Sequence, residues 1–152
     1  MNRILFFLVT LVLSTNLIAQ DKQQSLFTFD HLALSVTDVD RSATFYKDVL
    51  LLQEITNKTK ITGIRWFSMG EGRELHLISI IKEPITLNKA IHLALKTSHF
   101  EDFITRLDQM KIPYSDWPGL PQKVNIRTDG IKQVFFQDPD GFWIEVNSVL
   151  EK

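Results

Sequence analysis

Four histidines, His31, His76, His92 and His99, and no cysteine stand in a chain of 152 residues. Where thiolates are absent, imidazole and carboxylate are the side chains that hold divalent first-row metals. Three of the histidines lie in segments that alternate apolar with small or polar residues, the signature of a strand. His31 opens His31-Leu32-Ala33-Leu34-Ser35-Val36, and His92 opens His92-Leu93-Ala94-Leu95-Lys96-Thr97. His76 lies in Glu74-Leu75-His76-Leu77-Ile78, and Glu145 in Trp143-Ile144-Glu145-Val146. His31, His76, His92 and Glu145 are the candidate ligands for one divalent ion: Zn, Ni, Mn, Fe or Co. Such an ion polarises a bound oxygen and stabilises an enolate or oxyanion charge. The lack of cysteine excludes a thiolate nucleophile and any disulfide.

An internal repeat relates the candidates. The two histidine-led strands are offset by 92 − 31 = 61, and the turn glycines Gly72 and Gly141 by 141 − 72 = 69. The second offset places Phe67 on Phe136, Leu75 on Ile144, Leu77 on Val146 and His76 on Glu145, without a gap. Residues i and i+2 of a strand share a face. Leu75, Leu77, Ile144 and Val146 suit the core, so His76 and Glu145 face away from it, as His31 and His92 do. A pseudo-twofold axis between the halves would bring all four onto the helix-free side of the sheet. Glu74 shares the face of His76 and is its rival for the fourth position; the gapless alignment favours His76. His99 follows its strand and reads as a solvated loop or helix-start residue.

The elements that must carry these residues follow from pattern and punctuation. A helix capped by Asp38 or Asp40 is expected to run through Arg41 to about Leu50, with Ala43, Tyr46, Val49 and Leu50 inward. A second runs from about Phe100 to Met110 and is stopped by Pro113. Each half closes in a hairpin, and Asp138-Pro139-Asp140-Gly141 is strong turn chemistry. Glu54–Ile64 and Asp116–Arg127 each leave room for one more strand. The fold class is α+β: two βαβββ modules, at about 27–81 and 90–149, joined by Lys82–Lys89.

The N-terminus has a different character. Met1-Asn2-Arg3 precedes the uncharged apolar run Ile4–Leu13, and small and polar residues lead to Ala19-Gln20-Asp21. That is the layout of a signal peptide over residues 1–20, with cleavage after Ala19 or Gln20. The run is short for a membrane span. The expectation is an exported, periplasmic or extracellular domain over 21–152, with no stable membrane anchor after cleavage. Seventeen basic against eighteen acidic residues, with no basic run, exclude nucleic acid as the expected partner.

His31–Val36 with Asp40–Leu50, and Phe136–Val146 with its Asp138-Pro139-Asp140-Gly141 turn, resemble the opening and closing elements of the vicinal oxygen chelate superfamily. That superfamily includes glyoxalase I, fosfomycin and bleomycin resistance proteins, and extradiol dioxygenases. The resemblance spans roughly Phe27 to Ser148. It implies paired βαβββ modules cupped around a metal. It also implies that His31, His92 and Glu145 match the first-, fifth- and last-strand ligands, while the fourth-strand position varies, often Glu in glyoxalase-like members. Three functions are expected from it. One is a metal-dependent lyase or isomerase on a small substrate with vicinal oxygens, with Glu145 or Glu74 shuttling a proton. Another is an Fe(II) ring-cleavage dioxygenase. The last is a metal-free drug binder, with Trp66, Trp143 and Phe135 lining a groove, and a homodimer is compatible with any of them. Arg65, Arg73, Arg127 and Lys132 are candidates for holding an anionic group.

Overall fold

The computed structural model describes residues 26–149 apart from 82 and 84, so the expected signal peptide lies outside the described residues. The first half runs β1 (His31–Ser35), α1 (Val39–Asp48), β2 (Gln53–Ile55), β3 (Ile64–Ser68) and β4 (Glu74–Ile78). The second runs β5 (His92–Thr97), α2 (Phe100–Gln109), β6 (Tyr114–Ser115), β7 (Asn125–Ile126), β8 (Lys132–Gln137) and β9 (Trp143–Ser148). The strands form two mixed sheets, β1-β4-β3-β2 and β5-β9-β8-β6, with β7 also on β8. β1 is parallel to β4 and β5 to β9; the hairpin pairs are antiparallel.

The registers reproduce the repeat residue by residue. Ala33 pairs with His76 and Ala94 with Glu145; Trp66 faces His76 and Phe135 faces Glu145. The face assignment holds as well. Leu34, Val36, Leu75, Leu77, Ile144 and Val146 are buried in one cluster that spans both halves.

Local chemistry sets the helix ends. Asp38, one of the two expected caps, caps α1 by accepting from the backbone N–H groups of Asp40 and Arg41, so α1 starts at Val39. The helix stops at Asp48, because Leu51 takes the left-handed conformation (φ 54°). α2 stops at Gln109 in the same way, with Lys111 left-handed (φ 56°) ahead of Pro113 and Met110 exposed. The extra strand of the second half also differs from expectation. The counterpart of β2 is β6 at Tyr114–Ser115, directly after Pro113, and only the short β7 falls within Asp116–Arg127.

The halves are tied by a turn. Asp138 Oδ1 accepts from the N–H groups of Asp140 (2.9 Å) and Phe142 (2.8 Å), which shapes the β8–β9 hairpin. Its Oδ2 accepts from the buried Tyr46 hydroxyl on α1 at 2.9 Å. Asp140 accepts from Thr37 N (2.9 Å), Thr37 Oγ1 (2.5 Å), Ser42 Oγ (2.7 Å) and Arg41 (3.1 Å). The edge strands β1 and β5 then flank an apolar cavity of about 240 Å³ that Leu32, Leu34, Leu93 and Tyr46 help to line.

Candidate metal centre

The structure places the expected ligands as two pairs. In the second module, His92 Nε2 on β5 lies 3.2 Å from Glu145 Oε2 on β9. The His92 ring is fixed at its other nitrogen, where Nδ1 donates to the Lys89 carbonyl at 2.8 Å. In the neutral ring that bond leaves the lone pair on Nε2. Glu145 is buried, and its Oε1 accepts from Gln133 Nε2 (2.9 Å) and Asn147 Nδ2 (2.5 Å). One oxygen is therefore held by two amides and the other faces the imidazole.

In the first module, His76 lies flat between two rings. Its centroid is 4.1 Å from Trp66 and 4.3 Å from His31, at interplanar angles of 8° and 16°. Its Nε2 is 2.8 Å from Glu74 Oε2, and His31 Nδ1 is 2.6 Å from Asp30 Oδ2. Among the described residues, no group of three or more His, Asp and Glu side chains is disposed around one point. His31 meets His76, and His92 meets Glu145. His99 stands at the N-cap of α2 without a side-chain capping bond, its Nδ1 3.4 Å from Asp102 Oδ2, and is exposed.

The donors of the second pair fit a divalent ion. Two bonds of about 2.1 Å meeting at roughly 100° put their donor atoms just over 3 Å apart, close to the 3.2 Å seen here. A polar atom without a partner lies in each half-site: Trp66 Nε1 beside His76, and Asn147 Oδ1 on the amide that holds Glu145. Buried polar atoms of that kind ordinarily meet water; of the two, only Asn147 Oδ1, an acceptor, is suited to a cation, because the indole N–H donates.

Trp117, Phe135, Gln133, Arg127 and Glu145 help to line an open cavity of about 590 Å³ in the second module. The four cations expected to hold an anion each face a carboxylate instead. Arg65 pairs with Glu54 and Asp40, Arg73 with Glu71, Arg127 with Asp129 and Lys132 with Glu101. Of these, only Arg127 lines that cavity.

Sequence reading missed Gln133, Asn147, Trp117 and Lys89. Parity carried a signal for Asn147, which shares the β9 face of Glu145, and the β8–β9 register pairs it with Gln133. Lys89 gave none, lying in the segment between modules. Burial pushes its ammonium below the usual lysine range, with Asp116 opposing.

Residues 28–146 match the family model of the Glyoxalase/Bleomycin resistance protein/Dioxygenase superfamily. The chain belongs to that superfamily. Curated relatives include Glyoxylase I 4 of Arabidopsis thaliana, 29% identical over 80% of this chain and 70% of the relative. Metallothiol transferase FosB of Shouchella clausii is also 29% identical, over 78% of each chain. Among solved structures, the oxidase ChaP-H2 superposes with a TM-score of 0.69 at 22% identity, covering 83% of this chain and 96% of its own. That likeness is one of superfamily fold. The registers of β1 with β4 and β5 with β9 are thus two copies of the superfamily's module.

Proposed function

We propose that the protein is an exported, metal-dependent enzyme of the glyoxalase type, a lyase or isomerase acting on a small substrate with vicinal oxygens. The observation that carries this reading is the His92–Glu145 pair: two donor atoms 3.2 Å apart, one tautomer-locked by the Lys89 carbonyl and the other anchored by Gln133 and Asn147. Two donors leave a divalent ion under-coordinated. His31 and His76 supply the remainder. Since the pairs do not meet within one chain, a homodimer that sets the first module of one copy against the second module of another completes the site. The bound ion would supply Lewis acidity at the substrate oxygens.

The chain's own carboxylates then divide the work. Glu145 is buried and tied to two amides, so it is the ligand. Glu74 is more open, with 23% of its side chain exposed, and touches His76 through Oε2. It is the proton carrier: it takes the C–H proton from the hydroxyl-bearing carbon and returns it to the adjacent carbonyl carbon, while the hydroxyl proton passes to the former carbonyl oxygen.

Elemental analysis of protein purified without a metal-affinity tag tests the reading. Stoichiometric Zn, Ni, Mn, Fe or Co, lost in His92→Ala, is the expected result. Glu74→Gln should keep the metal and lose turnover by about 10²-fold or more. A native protein that neither carries nor takes up metal overturns the assignment and leaves a metal-free binding protein. Export is tested by N-terminal sequencing of protein recovered outside the cytoplasm; a start at Gln20 or Asp21 is expected.

A further inference from the structure

Lys89 is joined to the second half-site at both of its ends. It sits in a turn made by Asn88, whose carbonyl accepts from Ile91 N (2.9 Å) and whose Oδ1 accepts from Ala90 N (3.0 Å). From that turn the Lys89 carbonyl accepts from His92 Nδ1 at 2.8 Å. At the other end, the ammonium donates to Ser115 Oγ (3.0 Å), Asp116 O (2.5 Å) and Trp117 O (3.1 Å). An ammonium has three protons to give, and these acceptors use them all, so this cation is not available for an anionic substrate. The rings of Phe135, Trp143 and Trp117 lie 4.7, 5.0 and 5.8 Å away.

Lys89 is partly buried, and its three hydrogen bonds offset the water that its ammonium gives up. The loop it grips closes without it. Asp116 Oδ1 accepts from Gly119 N (2.9 Å) and Leu120 N (2.8 Å), and Ser115 bridges to Pro121. What the ammonium adds is the position of that loop relative to His92. The loop carries Trp117, whose ring stands edge-on to His92 at 6.3 Å and to Phe135 at 5.4 Å.

We infer that Lys89 is a positioning residue that locks the His92 tautomer through its carbonyl and the Trp117 wall through its ammonium. The geometry stands by itself; its effect on metal affinity rests on the function proposed above. The chain has no cysteine, so Lys89→Cys introduces a single thiol. Alkylation with 2-bromoethylamine gives a thioether that ends in an ammonium at nearly lysine length, and iodoacetamide gives a neutral analogue. Lys89→Met keeps the apolar stem and should match the neutral form.

Three readouts apply: the ¹⁵N shifts of the His92 ring, the ¹⁹F resonance of fluorotryptophan at position 117, and Zn²⁺ affinity. The neutral side chains should mix the His92 tautomers, broaden the Trp117 resonance and weaken Zn²⁺ about tenfold. Aminoethylation should restore all three. If the two NMR signatures respond this way while Zn²⁺ binds to none of the proteins, Lys89 keeps its role and the metal reading fails. Unchanged signatures in Lys89→Met, or identical behaviour of the two alkylated forms, overturn the inference.

Discussion

The two modules share a frame and differ in what they set on it. At matched positions of β4 and β9 stand His76 and Glu145, opposite Ala33 and Ala94. Around His76 the neighbours are rings, Trp66 and His31, stacked face to face. Around Glu145 they are amides and an imidazole, Gln133, Asn147 and His92. The helices differ in the same way. Tyr46 of α1 reaches a carboxylate in the opposite module, whereas the equivalent position of α2 is the buried Leu107 (46 + 61 = 107). The repeat keeps backbone register and core face, and leaves the polar positions free to take separate roles.

The largest effect expected tests whether the shared frame is one folding unit. Leu75 and Ile144 occupy matched core positions, and both are fully buried in the same cluster. Leu75→Ala and Ile144→Ala should each cost about 2–5 kcal/mol. Because the cluster spans both halves, urea unfolding of either variant should remain one transition. Two separate transitions would show that the modules fold apart and that the intermodule contacts are accessory.

Next comes the tie between modules, which belongs to one side only. Burial raises the pKa of Asp140, but hydrogen bonds from Thr37 and Ser42 and the charge of Arg41 outweigh it and hold the carboxyl below its ordinary value. The folded state thus keeps Asp140 ionised where the unfolded chain has taken up a proton. Its stabilisation is complete above about pH 4, the ordinary aspartate range, and is lost as pH falls through the folded value. Asp140→Asn should cost about 1.5–3 kcal/mol at pH 7, and the deficit should shrink in urea titrations taken toward pH 3. A deficit independent of pH would mean that shape, not charge, makes the joint. Asp138 has the opposite sign. Burial outweighs its hydrogen bonds and lifts its pKa, so its contribution is present below the ordinary value and lost as pH rises through the folded one.

Tyr46→Phe removes the hydroxyl that Asp138 Oδ2 accepts from. Burial, and then Asp138, push the tyrosine pKa far above its ordinary value, so the hydroxyl stays a donor wherever the protein is folded. The variant should lose about 1–2 kcal/mol, read from the urea midpoint. No loss would show that the polar part of the joint rests on Asp140 and owes nothing to the Tyr46–Asp138 bond.

Much of this asymmetry stood in the sequence, but not its geometry. The offsets of 61 and 69 matched residue to residue between the halves, and a strand's period of two then fixed which residues share a face. They gave the match of His76 to Glu145, which the β3–β4 and β8–β9 registers repeat. What they could not give was distance between modules. Nothing in the pattern says that Tyr46 will meet Asp138, since a helix face reads as apolar whether or not a hydroxyl at its edge finds a carboxylate. Nor does alternation say that His92 will meet Glu145 while His31 meets His76. In the sequence Asp138 and Asp140 read as turn formers, a role that Asp138 Oδ1 and the Asp140 N–H fill, while Asp138 Oδ2 and the Asp140 carboxylate serve the other module.

The smallest effect expected concerns the matched positions 65 and 134. In the first module Arg65 on β3 donates to Glu54 at 2.6 and 2.7 Å and to Asp40 of α1 at 2.8 Å. In the second, position 134 is Val134, fully buried. There the acidic residue of the helix's first turn, Glu101, pairs with Lys132, two residues earlier on the same strand face. Position 65/134 is thus ionic and outer in one half and apolar and inner in the other, where the helix-to-sheet ion pair stands two residues away, at Lys132. The Arg65 hydrogen bond holds the Glu54 carboxyl below its ordinary value, so this pair stabilises above the ordinary glutamate range and fades as pH falls through the folded value. Solvent screens it, because 30% of Arg65 and 40% of Glu54 are exposed. Arg65→Met should therefore cost less than about 1 kcal/mol in low salt, and less again in 1 M salt. Val134→Ala, at the matched position, should cost more and be indifferent to salt, since a buried methyl has no charge to screen. If both variants responded alike to salt, the ionic contact in the first half would be incidental and the apolar stem of Arg65 would account for its packing.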